Sequence, residues 1–108
     1  MSDVVLIYSL FPSVGEAHDI CRTLLEEQLV ACANRLPPAI SYYRWEGEND
    51  TSEEHPVIFK TGAAHAEAAM ARLAELHRYK VPAIISWQAD RANPLFSQWV
   101  KDQTQGAA

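Results

Sequence analysis

Two kinds of hydrophobic spacing alternate along the chain and predict alternating strands and helices. Residues 4–8 are continuously apolar and mostly β-branched, which is typical of a strand that is buried on both faces. Ser13 and Glu16 then have the spacing of a capping box. Apolar side chains recur every three or four positions from residue 14 to 28, so we expect an amphipathic helix there.

The middle of the chain has the pattern of a β-hairpin. Residues 29–34 and 40–45 predict a second strand that Pro37 and Pro38 interrupt, because adjacent prolines donate no hydrogen bonds to a sheet. Residues 57–61 predict a third strand, and the polar segment between them is typical of a turn. We expect the second and third strands to pair in an antiparallel manner.

The second half of the chain repeats the alternation. Helical spacing over residues 66–77 is followed by an apolar strand at 81–87, and Asn93 and Pro94 then predict the cap and first turn of a short helix at 95–100. The segment 103–108 predicts an irregular tail. The order β-α-β-β-α-β predicts an α+β fold, a ferredoxin-like sandwich with an antiparallel sheet and a short C-terminal helix, in a single domain over residues 1–108.

The net charge of −5 is concentrated in one segment. Residues 46–54 contain five Asp or Glu residues and no Lys or Arg, and the rest of the chain is balanced. A chain without a basic surplus is not expected to bind nucleic acid. The acidic segment lacks the spacing of a calcium-binding loop, so we interpret it as a solvated, flexible hairpin tip that attracts hard divalent cations weakly.

The two cysteines indicate a reducing compartment. Cys21 and Cys32 are too few for a disulfide framework and lack the spacing of a zinc site, and Cys32 fits a small core residue. The apolar run at 4–8 is much shorter than a signal-peptide core or a membrane span. We therefore expect a cytoplasmic protein that does not bind membranes.

Common catalytic and binding motifs give little support to an enzymatic function. The loop at residues 9–13 lacks the paired thiolates of a heavy-metal chaperone, and the four glycines form no phosphate-binding loop. The sequence does not exclude a catalytic triad of residues that are far apart in the chain, although no local motif favours one.

Five blocks of sequence resemble the CutA divalent-cation-tolerance family in their order and spacing. They are residues 29–34, 41–47, 59–61, 76–82 and 93–94. The resemblance implies a cytoplasmic homotrimer of ferredoxin-like subunits, with contacts between subunits along the second strand. It also implies a non-enzymatic role in tolerance of copper and other divalent cations. Tyr43, Trp45 and Glu46 are the candidate interface residues.

Three positions depart from the family pattern in ways that affect metal binding. Ser9 stands where some members have a cysteine, and Lys80 and Ala83 stand where glutamates are common. We therefore expect no obligatory cofactor and only weak or indirect binding of a divalent cation such as copper. His77 is the candidate metal ligand, and the alternative is a hydrogen-bonding role for His77 at the end of its helix.

A second functional hypothesis is a small-molecule or anion-sensing module with ligand clefts between subunits. Its candidate pocket residues are Lys60, Thr61, His77 and Tyr79. Lys60 and Thr61 precede the second helix, where an anion is favoured, although a solvated strand end fits Lys60 almost as well.

Overall fold

The computed structural model describes residues 2–104 and has five strands and three α-helices. In chain order they are β1 (Val4–Phe11), α1 (Val14–Glu26), β2 (Cys32–Arg35), β3 (Ala39–Trp45), β4 (Glu48–Gly62), a 3-10 turn (Ala63–His65), α2 (Ala66–Leu76), β5 (Ile84–Gln88) and α3 (Pro94–Gln103). The sheet order is β2-β4-β1-β5, and β3 pairs with the first half of β4. All of these pairings are antiparallel. The α+β architecture predicted from the sequence is confirmed.

Strand β1 lies in the centre of the sheet and is covered on both faces, as its continuous apolar run predicts. Ile7 and Phe11 belong to the main core, which α1 and α2 cover. Val4 belongs to a smaller cluster with Val100 of α3 on the other face of the sheet. Helix α3 therefore covers the face of the sheet that α1 and α2 leave open, and part of that helix remains exposed.

Helix α1 begins where the capping box predicts and ends two residues earlier than expected. The Ser13 side chain accepts a hydrogen bond from the Glu16 N–H at 3.2 Å. After Glu26 the chain turns, because Gln28 has a left-handed φ of 58°. The Leu29 N–H then donates to the Leu24 carbonyl at 3.0 Å, which closes a Schellman motif. Glycine usually occupies the position of Gln28 in this motif, so no local residue pattern indicated that the helix would end there.

Residues 46–53 are largely exposed to solvent, as predicted, but the interpretation of residues 46–54 as a flexible tip is wrong. Residues 48–54 belong to β4 and pair with β3 in the register Ala39↔Glu54 to Trp45↔Glu48. The turn itself is only Glu46 and Gly47, whose φ values of 51° and 82° match a tight hairpin turn. Cross-strand pairing with the aromatic strand β3 outweighs the low strand propensity of the acidic residues. We call residues 39–54 the β3–β4 arm.

The second half follows the predicted order with shifted boundaries. Strand β5 begins at Ile84, three residues later than residue 81. Asn93 caps α3 by accepting hydrogen bonds from the N–H groups of Leu95 and Phe96 at 2.9 and 3.3 Å. The helix extends to Gln103, which was predicted to lie in the tail, and residues 105–108 of that tail lie outside the described residues. Among the helices within residues 2–104, none is long and apolar enough to cross a membrane.

Candidate functional site

An open groove of about 600 Å³ lies between the β3–β4 arm and the segment that connects α2 to β5. Its volume is within the range of small-molecule sites. Its lining includes aromatic, acidic and basic side chains. These residues are Leu10, Ser41, Tyr42, Tyr43, Arg44, Trp45, Asp50, Ser52, Glu54, Tyr79, Lys80, Val81 and Ala83.

Glu54 and Tyr79 form a part-buried polar contact in the groove. The Tyr79 hydroxyl donates to Glu54 Oε2 at 2.9 Å. Glu54 is only 7% exposed, although its neighbour Glu53 is exposed to solvent. Burial, followed by the hydrogen bond to Glu54 and its negative charge, raises the pKa of Tyr79 to about 12. Tyr79 is therefore a neutral phenol that donates to a buried carboxylate at neutral pH.

His77 lies directly behind Tyr79, and both of its ring nitrogens are hydrogen-bonded to the backbone. The Tyr79 N–H donates to Nδ1 at 3.1 Å. Nε2 lies 2.8 Å from the Leu10 carbonyl, which only accepts, so Nε2 carries the proton. The ring stacks on Phe11 with a centroid distance of 4.8 Å. These contacts favour the hydrogen-bonding role of His77 over the metal-ligand role.

Arg78 attaches the same segment to α1. Its Nε lies 2.6 Å from Glu16 Oε1. The other oxygen, Glu16 Oε2, is buried and has no hydrogen-bond partner among the described residues. Together with the contacts of His77 and Tyr79, this ion pair fixes one wall of the groove to three different elements, α1, β1 and β4.

Lys60 and Thr61 lie away from the groove, on opposite faces of the far end of β4. The Lys60 ammonium donates to Asn34 Oδ1 at 2.8 Å. Thr61 is fully buried and donates its hydroxyl proton to the Leu29 carbonyl at 2.7 Å. The four predicted pocket residues are therefore separated into two pairs, and only Tyr79, with His77 behind it, belongs to the groove region.

Two of the three candidate interface residues line the groove. Tyr43 and Trp45 are 39% and 49% exposed, which leaves large apolar surfaces in contact with solvent. Glu46 is at the hairpin turn. The predicted role of all three at a subunit interface stays a prediction.

Two of the positions that depart from the family pattern, Ser9 and Ala83, are in contact with each other. The buried Ser9 hydroxyl donates to the Ala83 carbonyl at 2.8 Å. Cys32 is half-buried, and burial raises the pKa of its thiol, so the thiolate that binds soft metals is disfavoured. Over the described range, no three His, Cys, Asp or Glu side chains form a group that is able to hold a metal ion.

Glu54 is the residue of this site that sequence reasoning missed. The sequence places it beside Glu53 in an acidic run, and nothing in the local pattern distinguishes the two. Only the strand register shows that Glu54 shares a face with Ser52 and Asp50, because side chains alternate along a strand. A prediction that started β4 at Glu48 would have placed Glu54 on the same face as Asp50 and Ser52.

Comparison with known proteins places this architecture in a family. The sequence model of the CutA1 divalent ion tolerance proteins matches residues 5–103. The chain belongs to this family. Among its CutA relatives, the divalent-cation tolerance protein CutA of Pyrococcus horikoshii is 37% identical over 101 residues, which span 94% of this chain and 98% of the relative.

Solved CutA structures share the fold closely. CutA from Xylella fastidiosa superimposes with a TM-score of 0.93 at 39% identity, covering 96% of this chain and 100% of that protein. CutA from Archaeoglobus fulgidus superimposes with a TM-score of 0.90 at 29% identity, covering 94% and 99% of the two chains. The latter is described as periplasmic, so the cytoplasmic location expected for this CutA family member stays a prediction.

Proposed function

We propose that this CutA family member acts as a non-enzymatic, cytoplasmic homotrimer in the tolerance of divalent cations such as copper, which it binds weakly or indirectly. The observation that carries the proposal is the family match over residues 5–103. The names of its relatives describe tolerance of divalent cations as their role.

Two of the outer strands of the sheet, β3 and β5, support assembly into a trimer. Strand β5 pairs only with β1, and β3 pairs only with β4, within the part of the chain that the structure describes. Both strands expose large apolar side chains, and Tyr42 is 80% exposed and Ile85 57% exposed. Exposed edge strands pair readily with other chains. A contact between two different edges is heterologous, and it closes into a ring of three when each subunit is rotated by a third of a turn.

The positions of the candidate metal-binding groups support weak binding. Glu48 and Asp50 are exposed on one face of β4, two residues apart, where they attract divalent cations without surrounding them. His77 would have to give up its bond from the Tyr79 N–H or its bond to the Leu10 carbonyl before it bound a metal.

Copper titration by calorimetry tests this proposal. We expect micromolar or weaker binding that is unchanged in His77→Gln. A matched control, His18→Gln, removes an exposed histidine from α1 and shows the effect of losing one surface imidazole. A single nanomolar site per chain that disappears in folded His77→Gln and persists in His18→Gln would contradict the proposal.

The groove favours a second function, the binding of a small molecule. A cavity of about 600 Å³ with a buried carboxylate and aromatic walls has the composition of a ligand site. The buried charge of Glu54 does not favour an anion, and the two residues expected to bind an anion, Lys60 and Thr61, lie elsewhere. A thermal-shift panel of inorganic phosphate, nucleotides and small amines tests this function, because a ligand of the folded state raises the melting temperature.

A further inference from the structure

We infer that the β3–β4 arm is hinged on the body of the subunit, and that the hydrogen bond between Tyr79 and Glu54 is a latch that fixes the orientation of the arm. The inference rests on the trimer proposed above, because the exposed aromatic side chains of the arm are those that neighbouring subunits would cover. It adds a conformational device to that assembly. The latch joins two elements of one chain and sets the direction in which the arm meets its neighbours.

The arm projects from the body. Strand β1, in the centre of the sheet, has 8 residues and is about 26 Å long, whereas β4 has 15 residues and is about 50 Å long, at about 3.3 Å per residue. The molecule measures 45 × 26 × 22 Å. The pairing of β1 with β4 runs from Gly62 to His55, so the arm extends past β1 as a ribbon of two strands. Such a ribbon is marginally stable on its own, so the arm needs further contacts to hold it in place.

The junction between the arm and the body has few hydrogen bonds. Between the registers of β2 and β3 on β4, residues 36–38 lie opposite residues 55–56, so three residues oppose two. This mismatch is a β-bulge, which interrupts the ladder and bends the strands. Three of these residues are prolines, which donate no hydrogen bond, namely Pro37, Pro38 and Pro56. Within the described chain, one backbone hydrogen bond crosses the junction, from the Leu36 N–H to the Pro56 carbonyl at 2.9 Å. The junction is therefore suited to act as a hinge.

Glu54 is the arm residue next to this hinge, and the body of the subunit binds it. Its side chain is only 7% exposed. The Tyr79 hydroxyl donates to Glu54 Oε2 at 2.9 Å from the segment between α2 and β5. That segment is itself attached to the body by the bond from His77 Nε2 to the Leu10 carbonyl at 2.8 Å and by the ion pair of Arg78 with α1. The contact therefore connects the arm to a fixed part of the body across the hinge.

Loss of the latch should affect the arm more than the rest of the chain. Without it, the bulge and the prolines allow the arm to bend at the junction, so Tyr43 and Trp45 no longer have a fixed direction relative to the edge strand β5. Both edges are needed in the proposed ring, because each subunit offers one edge to the next subunit. We therefore expect the loss of the latch to increase local opening of the arm and to weaken assembly.

Hydrogen–deuterium exchange followed by mass spectrometry tests the latch. In Tyr79→Phe, we expect the backbone amides of residues 39–54 to exchange about tenfold faster than in the wild type, while those of β1 keep their rate. The matched control is Thr61→Val, which removes another buried hydrogen bond of β4, from the Thr61 hydroxyl to the Leu29 carbonyl at 2.7 Å. It lies at the end of β4 remote from the arm, so the exchange of the arm should stay within about twofold of the wild type. Each protein is measured at a concentration at which sedimentation shows the same assembly as the wild type.

Two substitutions of Glu54 separate the hydrogen bond from a general loss of packing. Glu54→Gln keeps an acceptor oxygen for the Tyr79 hydroxyl and should leave the exchange of the arm within about twofold of the wild type. Glu54→Leu removes the acceptor and should accelerate exchange as Tyr79→Phe does, and it replaces that variant if Tyr79→Phe does not fold. Tyr79→Phe and Glu54→Leu together should accelerate exchange no more than either alone, because both break one contact.

Equal exchange of the arm in Tyr79→Phe and Thr61→Val, or faster exchange that is spread equally over the arm and β1, would overturn the inference. In sedimentation equilibrium, Tyr79→Phe should dissociate at several-fold higher protein concentration than Thr61→Val, and equal dissociation of the two variants would overturn the link between the latch and assembly. A monomeric wild type would contradict the proposed trimer, and the exchange comparison would still decide whether the latch holds the arm in the single chain.

Discussion

Replacement of Tyr79 by phenylalanine tests the hydrogen bond between Tyr79 and the buried Glu54. The variant keeps the ring that packs at a tilt against His77 and removes the hydroxyl that donates to Glu54 at 2.9 Å. Leaving a buried acceptor without its donor costs about 1–3 kcal/mol. We therefore expect the free energy of unfolding to fall by that amount at pH 7, measured by urea denaturation.

The pH dependence of the same variant gives an independent check. The pKa of Tyr79 is raised to about 12 in the folded protein, whereas an unfolded tyrosine titrates near 10. The neutral phenol therefore stabilises the folded state fully below pH 10, and this stabilisation is lost as the pH rises towards 12. A shift of about two units corresponds to about 2.7 kcal/mol, which partial exposure reduces to about 1–2 kcal/mol.

The difference in stability between the wild type and Tyr79→Phe should consequently be large at pH 8 and shrink at pH 11. Tyr42→Phe is the matched control, because Tyr42 is 80% exposed and makes no comparable contact in the described chain. The free energy of unfolding of Tyr42→Phe should stay within about 0.5 kcal/mol of the wild-type value at both pH values. An equal difference for Tyr79→Phe at pH 8 and pH 11 would refute the raised pKa of Tyr79, which burial and then the contact with Glu54 produce.

Three further substitutions test other parts of the fold. Gln28→Gly should stabilise the protein by about 0.5–1 kcal/mol in urea denaturation, because glycine adopts the left-handed φ of 58° without strain; a loss of stability would contradict the Schellman motif. Glu46→Asn should stabilise the hairpin turn by up to about 1 kcal/mol, and no gain would argue against the turn geometry. Trp45→Ala should cost roughly 3–5 kcal/mol if Trp45 is buried between subunits; an unchanged melting temperature would place it outside the interface.

Hydrophobic spacing was sufficient to predict the order of the elements, because apolar residues recur about every 3.6 positions on a buried helix face and every two positions on a buried strand face. It did not determine where elements end. Helix α1 stops at a left-handed Gln28 that no local signal marks, and β4 extends through acidic residues because β3 pairs with them. Both boundaries depend on backbone conformation and strand pairing, which a single-sequence pattern does not contain.

The candidate site was predictable only in part, for the same physical reason. Tyr79 and His77 follow directly from the end of α2, and the structure keeps them together. Lys60 and Thr61 are adjacent in sequence, yet strand alternation sends their side chains to opposite faces. Glu54 became visible only through the register of the β3–β4 arm, which shows that it is buried opposite Ala39 while Glu53 faces solvent.

Sedimentation equilibrium at micromolar concentration tests the proposed assembly most directly. The account predicts a species of three times the 12.1 kDa chain mass, because the apolar outer strands β3 and β5 must find partners. Trp45→Ala should shift that species towards smaller mass at low concentration. A wild-type protein that sediments as a 12.1 kDa monomer under these conditions would contradict the trimer and the interface proposed for Tyr43 and Trp45.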